Sequence, residues 1–81
     1  MHEWGIAVNI MQKVEEAVKN NGMKKVLKVD INLGEGLGIS REEFEFCLKT
    51  ISKDEVEFKD CVFDIKMTDA KLASIEGIDA E

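Results

Sequence analysis

Between residues 27 and 33 apolar and polar side chains alternate without a break. Leu27, Val29, Ile31 and Leu33 fall on one side, and Lys28, Asp30 and Asn32 on the other. A period of two marks a β-strand with one buried face. The rest of the chain must therefore supply a layer that covers that face. Two flanking segments are suited to the task. Residues 3–20 place Ile6, Ala7, Ile10, Met11, Val14, Ala17 and Val18 at helical spacing, with Gln12, Lys13, Glu15, Glu16 and Lys19 on the opposite face. Asn20-Asn21-Gly22 ends that helix, Gly22 being suited to the left-handed conformation after a helix end. Ser40 followed three residues later by Glu43 reads as a capping box. It opens a second helix over 41–52, with Phe44, Cys47, Leu48 and Ile51 as its buried face.

In the last third Val62, Asp64 and Lys66 alternate with Cys61, Phe63, Ile65 and Met67. Thr68-Asp69 can turn the chain and residues 71–79 can return as a strand, which predicts a hairpin. The order helix–strand–helix–strand–strand predicts an α+β, two-layer sandwich of two helices packed on a three-stranded sheet. At 81 residues the chain is expected to make one domain with a thin core, since so short a chain buries only roughly 60–65% of its unfolded surface.

Several function classes fall away on composition and spacing. Net charge is −6 and the basic residues are scattered, so no nucleic-acid partner is expected. No apolar run approaches the roughly 20 residues that cross a bilayer, so no membrane association is expected either. The first residues carry Glu3 and turn amphipathic, unlike a secretory signal, which makes the cytoplasm the expected location. Gly34, Gly36 and Gly38 form a turn-rich loop, but it has neither a Walker lysine nor dinucleotide-site spacing. Cys47 and Cys61 belong to no Cys-x-x-Cys pair, so no zinc site is expected, and a reducing compartment disfavours a disulfide. Cys47 lies on the apolar stripe of the second helix and reads as core, and Cys61 as packed or half-exposed. Met11, Met23 and Met67 do not cluster into a thioether site. With one histidine, His2, the chain has no nucleophile–histidine constellation, and it is not expected to be an enzyme.

Several segments nonetheless carry a specific pattern. Met1-His2-Glu3-Trp4 is followed at once by an amphipathic helix, and the strand running from Lys25-Val26 ends in Leu33-Gly34-Glu35. Gly38-Ile39-Ser40-Arg41-Glu42-Glu43-Phe44-Glu45-Phe46 opens the second helix. Lys59-Asp60-Cys61-Val62-Phe63-Asp64-Ile65 and Lys71-Leu72-Ala73-Ser74-Ile75-Glu76 mark the last two strands. In this order, over nearly the whole chain, these segments resemble the HypA family of hydrogenase nickel-incorporation proteins. That family normally carries a zinc domain with two Cys-x-x-Cys pairs between its second and closing strands. Here the interval shrinks to a turn near 67–70. The resemblance therefore implies a single HypA-like nickel-binding domain over 1–81 without the zinc domain. The excision is expected to be tolerated because the two ends of the lost segment would be neighbours in the sheet.

The same resemblance implies Ni(2+) bound at the N-terminus, with Met1, His2 and Glu3 as ligands and His2 indispensable. The chemistry is sound without the family name. A terminal amine, the His2 amide nitrogen and the His2 imidazole can close adjoining chelate rings, and Glu3 can add an amide nitrogen or its carboxylate. Nitrogen-rich square-planar sets favour Ni(II) or Cu(II) over oxygen-seeking cations. Outside such a context a lone histidine after the start is usually a solvated terminal residue. Trp4 and Glu35 are candidates to lie beside the ligands, Trp4 as an apolar anchor and Glu35 as a loop carboxylate. The implied role is a nickel metallochaperone for [NiFe] hydrogenase, or urease, with a maturation GTPase and the hydrogenase large subunit as partners. The alternative is a metal-independent interaction module that docks the same GTPase or a hydrogenase precursor. Uncovered strand edges suggest a monomer or a weak homodimer.

Overall fold

A computed structural model of the protein describes the backbone of residues 2–81 and the side chains of residues 3–81. The elements are α1 (His2–Asn20), β1 (Val26–Gly34), α2 (Arg41–Ser52), β2 (Val62–Thr68) and β3 (Ala73–Ala80), with short 3-10 turns at Glu35–Leu37 and Val56–Phe58. Both helix boundaries arise from local chemistry. At the end of α1, Gly22 adopts φ 65°, its N–H donates to the Lys19 carbonyl at 3.1 Å, and Met23 N–H donates to the Val18 carbonyl at 3.0 Å. Those two bonds satisfy carbonyls that a helix end otherwise leaves open. At the start of α2 the Ser40 Oγ accepts from Glu43 N–H at 3.1 Å, from an extended backbone. Ser40→Ala leaves that donor without its partner and should cost about 1 kcal/mol. Thermal melting should show a midpoint about 4–8 °C lower.

The helices form one layer and the sheet the other, as the order of periodicities predicts. The sheet order is β2-β1-β3, with β2 parallel to β1 and β3 antiparallel to it. β2 and β3 are therefore not a hairpin. They lie on opposite edges, separated by the width of β1. The reason is that α2 returns the chain past β1 before β2 begins, which makes β1 and β2 a parallel pair. β3 then takes the remaining edge of the most buried strand. The expectation that the ends of β2 and β3 are sheet neighbours is corrected too: they are two strand spacings apart, about 9.5 Å.

The link between them must cross the end of β1, and it does so against glycine. Gly34 N–H donates to the Leu72 carbonyl at 2.9 Å and Gly36 N–H to the Ala70 carbonyl at 3.1 Å. The glycine-rich segment is thus a bed for the crossing chain.

The core gathers Ala7, Ile10, Met11, Val14 and Val18 from α1 with Phe44, Cys47 and Leu48 from α2. They face Val26, Val29, Ile31 and Leu33 of β1 and Phe63 and Ile65 of β2, while Ile39 and Phe58 close the ends. Two details differ from simple periodicity. Val26 rather than Leu27 is buried at the start of β1, because the register against β3 shifts between Val26 and Lys28. In α2, Ile51 is only half-buried and Ser52 takes a buried position, its hydroxyl donating to the Leu48 carbonyl at 2.9 Å. Among the described residues no helix is long and apolar enough to cross a membrane.

Candidate metal centre

Because α1 begins at His2, the peptide N–H groups of its first turn have no carbonyl partner within the helix. Those groups also sit at the positive end of the helix dipole, where the carboxylate of Glu3 is favourably placed. The start of α1 lies beside the first turns of α2. Between them is an open cleft of about 390 Å³ lined by Glu3, Trp4, Glu42, Glu43, Phe46 and Cys47. Its wall is apolar and its rim acidic. Trp4 and Phe46 are 42% and 69% exposed. Trp4 is thus a partly exposed apolar wall of the cleft, facing Phe46.

Cys47 belongs both to the core and to this cleft. Burial, and then the carboxylates of Glu3 and Glu43, push its thiol above the ordinary range, so it is held as the neutral thiol. Sequence periodicity placed Cys47 in the core and missed its place on the cleft. The available signal was Glu43, four residues earlier and so on the same helix face. Cys61, just before β2, is pushed up to about 11 by burial and does not line the cleft. Both cysteines are free.

The sequence-expected ligands divide as follows. Glu3 is half-buried on the cleft. Met1 and the His2 side chain lie outside the described residues. Glu35 is exposed in the 3-10 turn after β1 and does not line the cleft that Glu3 and Trp4 share. Among the described residues no group of three or more His, Cys, Asp or Glu side chains is placed to hold a metal ion. Glu3 is thus the described member of the expected donor set, and its surroundings are acidic and solvent-accessible.

Comparison with known proteins bears on this end of the molecule directly. A family model described as "Hydrogenase/urease nickel incorporation, metallochaperone, hypA" matches residues 1–74. The hydrogenase maturation factor HypA of Thermococcus sibiricus is 33% identical over 93 residues, covering 96% of this chain and 67% of that protein. The factor of the same name from Azoarcus sp. is 36% identical over 56 residues, covering 69% of this chain and 49% of its own length. The chain thus spans about two thirds of one relative and about half of the other. Among solved structures, the solution structure of the Ni metallochaperone HypA from Helicobacter pylori superposes with a TM-score of 0.71 at 23% identity. It covers 82% of this chain and 56% of that one, a likeness of fold. With the family model spanning residues 1–74, the first-turn segment included, the chain belongs to the HypA family of nickel-incorporation metallochaperones.

Proposed function

We propose that this chain binds Ni(II) at its N-terminus through Met1, His2 and Glu3 and passes it on for maturation of a [NiFe] hydrogenase or a urease. The observation that carries this reading is the start of α1 at His2, beside an open acidic cleft. Amide nitrogens uncommitted to helix hydrogen bonds are free to become ligands. A dication at the positive end of a helix is opposed by the dipole. Loss of amide protons on binding offsets that opposition, and Glu3, Glu42 and Glu43 add negative charge nearby. A terminal site is shallow and reachable, as transfer to a second protein requires.

Trp4 lies next to the proposed ligands and, with Phe46, offers apolar contact area to a recipient. The partners fitting this role are a maturation GTPase and the hydrogenase large subunit, met in the cytoplasm by a monomer or weak homodimer. Glu35, away from the cleft, is left out of the site. Residues 1–81 act as a single nickel-binding domain, the link from Asp69 to Leu72 standing where the family places its zinc domain. With no Cys-x-x-Cys pair in the sequence, zinc has no part in the reading.

The test is a calorimetric nickel titration of the chain with its own first residue free, beside the same chain carrying an N-terminal extension. The free chain should bind stoichiometrically and the extended one should not, because extension converts the terminal amine into an amide. Equal isotherms would overturn the ligand assignment. The exposed Trp4 and Phe46 also suit the second reading, a docking module indifferent to metal. Capture of the GTPase that is unchanged by a nickel chelator, with no nickel binding by the free chain, would select it.

A further inference from the structure

β3 pairs with β1 on its inner side and, among the described residues, has no strand on its outer side. An unpaired edge is a template for another strand, and natural edges are guarded by charged side chains, Lys above all, by Pro, by inward charges or by bulges that twist the edge away. The opposite edge, β2, carries Lys66. β3, Ala73–Ala80, contains no Lys, Arg or Pro; its guards are the carboxylates of Glu76 and Asp79 and one bulge, and the bulge serves here to fix a register.

Its side chains follow an unusual order of faces. Ala73, Ile75, Ile78 and Ala80 oppose the buried Leu33, Ile31, Val29 and Val26 of β1, so all four point toward the helices. They are only half-buried there. Ser74, Gly77 and Asp79 oppose Asn32, Asp30 and Lys28 on the solvent face. Glu76 is the additional residue where the register shifts between Asp30 and Ile31, and it accepts a hydrogen bond from Asn32 Nδ2 on that same face. From 73 to 80 the order is in, out, in, out, out, in, out, in. Read backwards it is the same, about a centre between Glu76 and Gly77.

We propose that the outer edge of β3 is a self-recognition surface, where a second copy adds its own β3 antiparallel with Ile75 opposite Ile78. The product is one six-stranded sheet. The bulge selects the register, because a shift of one residue either way sets inward side chains against outward ones. In the matched register Ala73 faces Ala80, Ser74 faces Asp79 and Glu76 faces Gly77. No acidic side chain directly meets another, and the half-buried isoleucines of both copies continue one apolar layer.

Charge favours the antiparallel sense. The groove between α1 and the start of β3 is lined by Lys13 and Lys71 along with Leu37 and Leu72, whereas the other end of the strand carries Asp79 and Glu81, next to Lys24 and to Lys25, whose ammonium is paired with Asp60. Antiparallel addition lays the basic end on the acidic end. It also brings exposed Leu72 toward exposed Met23 of the second copy, which lines the groove beside Ile78 and Ala80.

Sedimentation equilibrium over a range of concentrations tests this without nickel. The unaltered chain should show a monomer–dimer equilibrium. Ser74→Glu opposes a carboxylate to Asp79 at both ends of the junction and should weaken the dimer about tenfold. Ser74→Lys should strengthen it by about as much, and Ser74→Glu with Asp79→Lys should return it toward the starting value. Far-ultraviolet circular dichroism confirms that each variant is folded. Should Ser74→Glu fail to fold, Ser74→Lys carries the test alone. A chain that stays monomeric at every concentration overturns the proposal. So does a dimer indifferent to these changes, or one on which the Glu and Lys substitutions act in the same direction.

Discussion

Replacing His2 by Ala should abolish stoichiometric nickel binding while leaving the fold as it is. The expected loss is complete because nothing else in the sequence can take over the role. His2 is the only histidine, so no second imidazole can move in. Cys47, the nearest soft donor on the cleft, is kept protonated by burial and by Glu3 and Glu43. The remaining cleft carboxylates are oxygen donors, which suit harder cations than Ni(II). Stability should be nearly unaffected, within about 0.5 kcal/mol, because alanine is a good helix former at a first-turn position. Among the described residues the fully buried positions of α1 begin at Ala7, with Ile6 packed against them. Calorimetric titration with nickel, alongside a thermal melt, measures both. An isotherm equal to that of the unaltered chain would remove His2 from the site.

Gly34→Val should destabilise the domain by about 2–3 kcal/mol, lowering the melting midpoint by roughly 10–20 °C. Strand propensity alone argues for the opposite sign, since glycine weakens a strand and valine favours one. Nor is the backbone demanding: Gly34 has φ −70° and ψ 130°, which any residue adopts. The requirement is space. A Cβ on Gly34 would stand 2.5 Å from the Ala70 carbonyl oxygen and 2.7 Å from the Leu72 carbonyl oxygen. Both neighbours are backbone, so neither can swing aside as a side chain would. Relief means moving the 69–72 link, which breaks the Gly34–Leu72 and Gly36–Ala70 hydrogen bonds that hold it. A melting midpoint at or above that of the unaltered chain would show that the link has room to shift. Amide exchange at Gly36 should rise in the variant, locating the loss at the crossing.

These two positions separate what could be read early from what could not. His2, the start of α1 and the acidic first turn lie together in the sequence, and the helix beginning needs only local rules. The same holds for Gly22 closing α1 and Ser40 opening α2, each a matter of hydrogen bonds spanning at most five residues. Periodicities of 3.6 and 2 likewise reported which segments are helices and which are strands. The family resemblance added the expected ligands, and comparison with known proteins established the family.

The neighbours of β1 were not legible in this way. The alternation in β2 and β3 states that each has an apolar face, and it is the same whether they pair with each other or with β1. Choosing between those arrangements depends on where α2 returns the chain and on backbone bonds between distant residues. The need for glycine at 34 followed from that choice, since the crossing link exists only because β2 and β3 occupy opposite edges. So did the meeting of Glu3 and Trp4 with Phe46 and Cys47 across two helices. Element type, helix limits and the donor-rich first residues were determined by the sequence itself, because they rest on interactions within a turn or two. Strand order, the bed under the link and the cleft beside the terminus were decided by tertiary packing, which joins residues that local rules never compare.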